Sequence, residues 1–192
     1  MANRVYTHCM SNTSRRTNPR AVSPENLILG LLCIQPAHGY DLHQQITTHL
    51  SLIWHLSISQ VYGTLDRLHA RGWISGDTPP EHPRRTVYSL TAAGRQQAEA
   101  WLAAPTRAAV QAVRLEFPSR LYILQQIHPD SITPAITAQA AEVHKALHSL
   151  RSLENRLPAG QIYNHLALQI RLQQLEALLV WLEGLQFPPR ES

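Results

Sequence analysis

Ser57-Ile58-Ser59-Gln60-Val61-Tyr62-Gly63-Thr64-Leu65-Asp66-Arg67-Leu68, followed by Gly72-Trp73-Ile74 and by Arg84-Arg85-Thr86-Val87-Tyr88-Ser89-Leu90, decides the fold. Its opening residues spell an S-x-x-Q capping box, in which the Ser57 hydroxyl accepts from the Gln60 amide and the Gln60 side chain reaches back to the amide of the cap. Val61, Leu65 and Leu68 recur at i, i+4 and i+7, so the helix they begin has one apolar stripe for a core. Ser59, Gln60, Gly63 and Arg67 are left on the other side. Gly72 closes the helix at its C′ position. Residues 73–75 and 86–90 read as two short strands around the turn-rich residues 78–83, which makes a hairpin.

Outward from this stretch, Ser23-Pro24-Glu25 is a helix start, with a cap residue, a proline at the first helical position and an acid in the first turn. The apolar run 27–34 follows and ends at Gln35-Pro36-Ala37-His38-Gly39, a breaker with a turn glycine. Residues 40–49 read as a second helix with Leu42 and Ile46 inward, and residues 50–56 connect it to the helix described above. Beyond the hairpin, Thr91 caps a helix over 92–102. Helices joined by a turn and followed by a hairpin form the layout of a winged helix-turn-helix. Small and amide side chains on the first turn of the last helix suit close approach to base edges in a major groove, and Arg67 is placed for a phosphate or a guanine. The pattern therefore points to duplex DNA.

Charge agrees. The chain has 192 residues and a formal net charge of +4. Residues 1–95 hold 9 Arg against 5 carboxylates, whereas residues 96–192 hold 8 basic and 8 acidic side chains, so the surplus lies in the half with the reading helix. Arg4, Arg15, Arg16 and Arg20 of the aperiodic segment 1–21 contribute much of it. That segment reads as a mobile basic tail, either a leader or a minor-groove arm.

The runs Leu29-Gly30-Leu31-Leu32, His38-Gly39-Tyr40-Asp41-Leu42, Val61-Tyr62-Gly63-Thr64-Leu65-Asp66-Arg67-Leu68 with Gly72-Trp73-Ile74, and Arg84-Arg85-Thr86-Val87-Tyr88-Ser89-Leu90-Thr91-Ala92-Ala93-Gly94 resemble the PadR family of bacterial transcriptional regulators. The resemblance spans about residues 27–95. It implies a homodimeric regulator, usually a repressor, whose third helix enters the major groove of a palindromic double-stranded operator while the wing follows the backbone or minor groove. Carried over by position, it implies helix contacts at Ser57, Ser59, Gln60, Tyr62, Gly63 and Arg67 and wing contacts at Arg84 and Arg85. Ile58 and Gly63 stand where the family often has proline, and Asp66 where it often has a basic residue.

After residue 102 the pattern is almost wholly helical. A helix around 110–127 is expected to be interrupted at Phe117-Pro118; a long helix runs to about 157, and Pro158-Ala159-Gly160 turns into another over 161–185. Leu166, Ile170, Leu175, Leu178, Leu179, Trp181 and Leu182 mark a wide apolar face on that last helix. Two helices joined by a short turn bury too little alone, so these residues are the expected dimer interface. The organisation expected is a tail 1–21, a winged helix-turn-helix domain 22–103, a helical dimerisation domain 104–186 and a C-terminal tail 187–192. The fold class is mainly α with a small β-hairpin wing.

Relatives in the family respond to small hydrophobic or aromatic effectors, and Trp101, Tyr122 and Trp181 are the aromatic groups available for one near the junction of the halves. The same three side chains also fit core or interface positions. Catalytic signatures are absent: there is no phosphate-cradling glycine loop, no G-x-S-x-G and no paired-cysteine zinc spacing. His144 and His148 stand at i, i+4 without the glutamate of H-E-x-x-H, so neither metal nor cofactor is expected. No apolar run approaches the roughly 18 residues of a membrane span, Cys33 lies in an apolar run as a packed thiol, and cytoplasm is the expected compartment. A second reading stays open, a winged-helix dimer acting as a protein-interaction scaffold without tight operator binding. Arg67, Arg84 and Arg85 separate the two, because a scaffold has no use for cations at both helix and wing.

Overall fold

The computed structural model describes residues 23–78 and 86–186. Helix α1 (Glu25–Ile34) starts beside Ser23, whose hydroxyl accepts from the Glu25 amide at 3.4 Å. Leu27, Ile28, Leu29, Leu31 and Leu32 are all buried, as an apolar run without a polar side requires, so α1 is the central strut of the N-terminal half. Helix α3 (Ile58–Ala70) packs on it, burying Val61, Leu65 and Leu68, and α2 (Gly39–His49), with Leu42 and Ile46 buried, packs on α3. Gly72, with φ +69°, takes the left-handed conformation that ends α3 and that a side chain would strain.

Strands β2 (Ile74–Asp77) and β3 (Val87–Leu90) pair antiparallel, with Ile74 opposite Leu90 and Asp77 opposite Val87. A third strand, β1 (Ala37–His38), pairs with β3 to give the order β1-β3-β2. By sequence alone residues 35–39 read only as a turn, because two residues carry no alternation to detect. Gly39 is likewise no turn residue. It opens α2, and a Cβ there would come within 2.7 Å of the Tyr62 ring. Thr91 caps α4 (Ala92–Ala103), accepting from the Gly94 amide at 3.1 Å and donating to the Gly72 carbonyl at 2.7 Å. A Cβ at Gly94 would overlap the Trp73 carbonyl, so only glycine lets α4 seat against the start of the wing.

Helix α5 (Val110–Ile127) runs unbroken through Pro118, which corrects the expected interruption. An internal proline costs about 3 kcal/mol. Here Phe117, Ser119 and Ile123 are fully buried around it, and the Ser119 hydroxyl donates to the Leu115 carbonyl at 2.7 Å while accepting from the Trp54 indole N–H at 2.8 Å. Tertiary packing thus overrides the local preference. After a 3₁₀ turn (Pro129–Ser131), α6 (Ile132–Glu154) and α7 (Ile162–Glu183) form an antiparallel hairpin tied by Arg151 and Glu176 at 2.8 Å. The linker between α4 and α5 is clasped to α6 by the fully buried Gln139, whose amide group both accepts from and donates to the Thr106 backbone at 2.8 Å. Among the described residues no helix is long and apolar enough to cross a membrane.

Candidate nucleic-acid interface

The start of α3 is a fixed polar edge. Both halves of the capping box form: the Ser57 amide donates to Gln60 Oε1 at 2.8 Å, and the Gln60 amide to Ser57 Oγ at 3.3 Å. Ser57, Ser59, Gln60, Tyr62 and Arg67 are exposed, and Gly63 is half-buried. Gln60 Oε1 accepts the cap amide, which holds the side chain in place and leaves its NH₂ to donate outward, to an acceptor such as guanine N7 or a phosphate oxygen. Tyr62 lies over Gly39 at the start of α2, which fixes its ring while leaving 40% of it accessible.

Arg67 is less free than its position in the sequence suggests. Its Nε donates to Glu25 Oε1 at 3.3 Å and its NH2 to the Thr64 hydroxyl at 2.8 Å. The same Glu25 accepts from Arg71 at 2.6 Å, and the Arg71 guanidinium lies over the Trp73 ring at 5.2 Å. Glu25 at the start of α1 therefore braces Arg67 on the last turn of α3 and Arg71 at its C-cap. Sequence reasoning missed Glu25 and Arg71, since a pair 46 residues apart leaves no local signal. Arg84 and Arg85 lie outside the described residues. The base of the wing is stitched by the Thr78 and Thr86 hydroxyls at 2.8 Å and by His38 Nδ1 to the Thr86 carbonyl at 3.0 Å.

The other expected site residues fall into different surroundings. Trp101 is half-buried with the Arg120 guanidinium over its ring at 5.2 Å, Tyr122 stacks on His49 at 5.2 Å, and Trp181 meets Phe117 edge-on at 6.3 Å. None of these three lines the cavity of ≈ 690 Å³ at the junction of the two halves. Its walls are mostly aliphatic and small, including Leu102, Leu124, Ile127 and Ala135, with Cys33 and Arg95 among them. Burial pushes the Cys33 thiol pKa up, which leaves it a poor nucleophile at neutral pH.

Helix α7 sorts the expected interface residues into two sets. Leu175 and Leu182 are buried within the protomer against its own core, which corrects their placement on an outer face, and Leu178 and Leu179 are half-buried beside them. Leu166, Ile170 and Trp181 are exposed, and Ile162, Tyr163 and Val180, which sequence reasoning did not name, are exposed with them. His144 faces Glu183 at 3.6 Å.

A capped helix that presents a polar edge, backed by a three-stranded wing, defines a winged-helix DNA-binding protein. Comparison with known proteins places it further. Residues 28–100 match the transcriptional regulator PadR-like family, and residues 113–185 match the virulence activator alpha C-terminal family. Residues 28–100 of the chain are thus a PadR-like domain. The chain is similar to the negative transcriptional regulator PadR of Bacillus subtilis, at 24% identity over 169 residues that cover 82% of this chain and 92% of that protein. Crystal structures of Bacillus subtilis PadR with operator DNA (24% identity, 83% of this chain and 94% of that one, TM-score 0.42) and with p-coumaric acid (23%, 84% and 92%, TM-score 0.39) are also similar.

Proposed function

We propose that this chain is a homodimeric repressor that binds a palindromic double-stranded operator, with residues 22–103 as the DNA-binding domain and 104–186 as the dimerisation domain. The observation that carries this reading is the start of α3: Ser57, Ser59, Gln60 and Tyr62 stand exposed on a capped helix whose opposite stripe, Val61, Leu65 and Leu68, is fully buried. In this reading α3 enters the major groove, Ser59, Gln60, Tyr62 and Gly63 approach base edges, and Ser57, Arg67, Arg84 and Arg85 meet the backbone. Arg67 and Arg71, which share the Glu25 carboxylate, present one net positive charge to one phosphate run. The dimer forms through the exposed apolar residues of α7, and its two-fold axis gives the operator its symmetry.

A small hydrophobic or aromatic effector releases the operator by occupying the cavity between the halves. It does so by binding the DNA-free arrangement more tightly than the DNA-bound one. A mobility shift with the duplex upstream of the chain's own coding sequence tests the whole reading. Retardation that survives competitor DNA at moderate salt is expected, and no retardation at low salt would leave the scaffold reading in its place.

A further inference from the structure

Ser59, Gly63, Asp66 and Ala70 run down the middle of the open side of α3, spaced so that they share one row opposite the buried stripe of Val61, Leu65 and Leu68. Three of them are small, and only Asp66 carries a charge. Its side chain is exposed, and among the described residues it forms neither a hydrogen bond nor an ion pair. The residues one turn from it on the helix are Tyr62, Gly63, His69 and Ala70, so no arginine or lysine of α3 stands beside it there. The cations of this helix are held on another flank, where Glu25 of α1 takes Arg67 and Arg71. Burial first, then the Asp66 carboxylate, then Tyr62 push the Tyr88 pKa up, so Asp66 lies on the wing side of α3, within reach of Tyr88 on β3.

A carboxylate repels phosphate and only accepts hydrogen bonds. On the middle row of a helix that enters the major groove it meets the floor of the groove, between the two phosphate rims. Two kinds of donor are exposed on that floor, the N6 amino group of adenine and the N4 amino group of cytosine. Adenine N6 lies between two acceptors, its own N7 and the O4 of thymine. Cytosine N4 has an acceptor, guanine O6, on one side only, and the C5–H edge on the other. Each acceptor beside the donor repels a carboxylate, so cytosine suits it better. We propose that Asp66 is a specificity-determining residue of this face, accepting from the N4 amino group of one cytosine in each half-site. The proposal rests on the operator reading above and adds to it a base that α3 selects.

The test takes the full chain through selection from a random duplex pool, beside Asp66→Ala and Asp66→Asn, with thermal melting to show that the variants fold as the wild type does. The wild type should enrich a palindromic motif with a cytosine at one position of each half-site, preferred about tenfold or more over the other bases, the usual cost of a wrong pair. Asp66→Ala should lose the preference at that position alone and bind all duplexes more tightly, because a repulsive charge is gone. Asp66→Asn should move the preference to adenine, whose N6 and N7 match the two ends of an amide. A motif that Asp66→Ala leaves unchanged overturns the proposal, and so does loss of a preference for adenine in place of cytosine. Uniform weakening by Asp66→Ala with the motif kept also overturns it, and assigns the carboxylate to holding a basic side chain of the wing. A wild-type chain that enriches no duplex defeats the operator reading and this proposal with it, whereas a motif indifferent to residue 66 defeats the proposal alone.

Discussion

Helices α3 and α7 both carry apolar residues at helical spacing, yet they use them differently. On α3 the apolar residues form one stripe, Val61, Leu65 and Leu68, all fully buried, and the other side is polar and open. On α7, Leu168, Leu172, Leu175 and Leu182 face the protomer's own core while Ile162, Leu166, Ile170, Val180 and Trp181 stand in solvent. A one-sided helix is satisfied by its own domain and offers its free side to a polar ligand. A helix that carries apolar residues on its outer as well as its inner side still has surface to cover, and in the proposed reading a second copy covers it. In the proposed reading the first side meets DNA and the second pairs two copies.

The hardest break of this comparison is removal of residues 161–192. It uncovers Val143, Leu147 and Leu150 on α6 as well as deleting the outward side of α7. The fragment should aggregate or sediment as a monomer, and operator affinity should fall by about a hundredfold or more, on the order of the avidity gained by linking two half-sites. A soluble dimer after this deletion would place the interface elsewhere. Next comes the contrast within α7. Leu182→Ala should cost about 2–5 kcal/mol in urea unfolding, as expected for a fully buried leucine, with the dimer interface itself untouched. Val180→Asp, on the outward side and 71% exposed, should leave unfolding of the protomer little changed and shift the monomer–dimer equilibrium by about tenfold or more, as expected for a charge placed in an apolar interface. If the two substitutions gave the same pattern, the division of α7 into inner and outer sides would be wrong.

Smaller effects sharpen the α3 side. Ser57→Ala removes the cap and should cost about 1 kcal/mol of stability, visible as a lower urea midpoint. Gln60→Ala removes the other half of the box at similar cost but should also change the ranking of operator variants, a readout that capping alone does not move. Arg84→Ala is the mildest, weakening binding a few-fold and uniformly across sequences, with the salt slope shallower by about one for each phosphate no longer engaged.

Where the chain declares itself within a turn or two, its sequence is enough. Ser57 with Gln60, Gly72 at a positive φ, and Thr91 over Gly94 each satisfy a backbone group locally, so spacing alone reveals them. What spacing does not reveal depends on distant partners. Pro118 reads as a break until the burial of Phe117 and Ile123 is known, and β1 exists only because β3 returns beside it. Arg67 looks free until Glu25 arrives from 42 residues away. The leucines of α7 have the same residue type on both sides, so only the position of α6 separates the inner set from the outer. The aromatic trio fails for the same reason: Trp101, Tyr122 and Trp181 share a chemistry but not a place.

The central claim is that the polar side of α3 meets duplex DNA twice, through a dimer built on α7. Binding of the full chain to its upstream operator, followed from about 50 to 300 mM salt with the stoichiometry fixed by titration, tests it directly. Two chains per duplex and a log–log slope near −5, for about six phosphates engaged, are predicted. One chain per duplex, or an affinity indifferent to salt, would contradict the account.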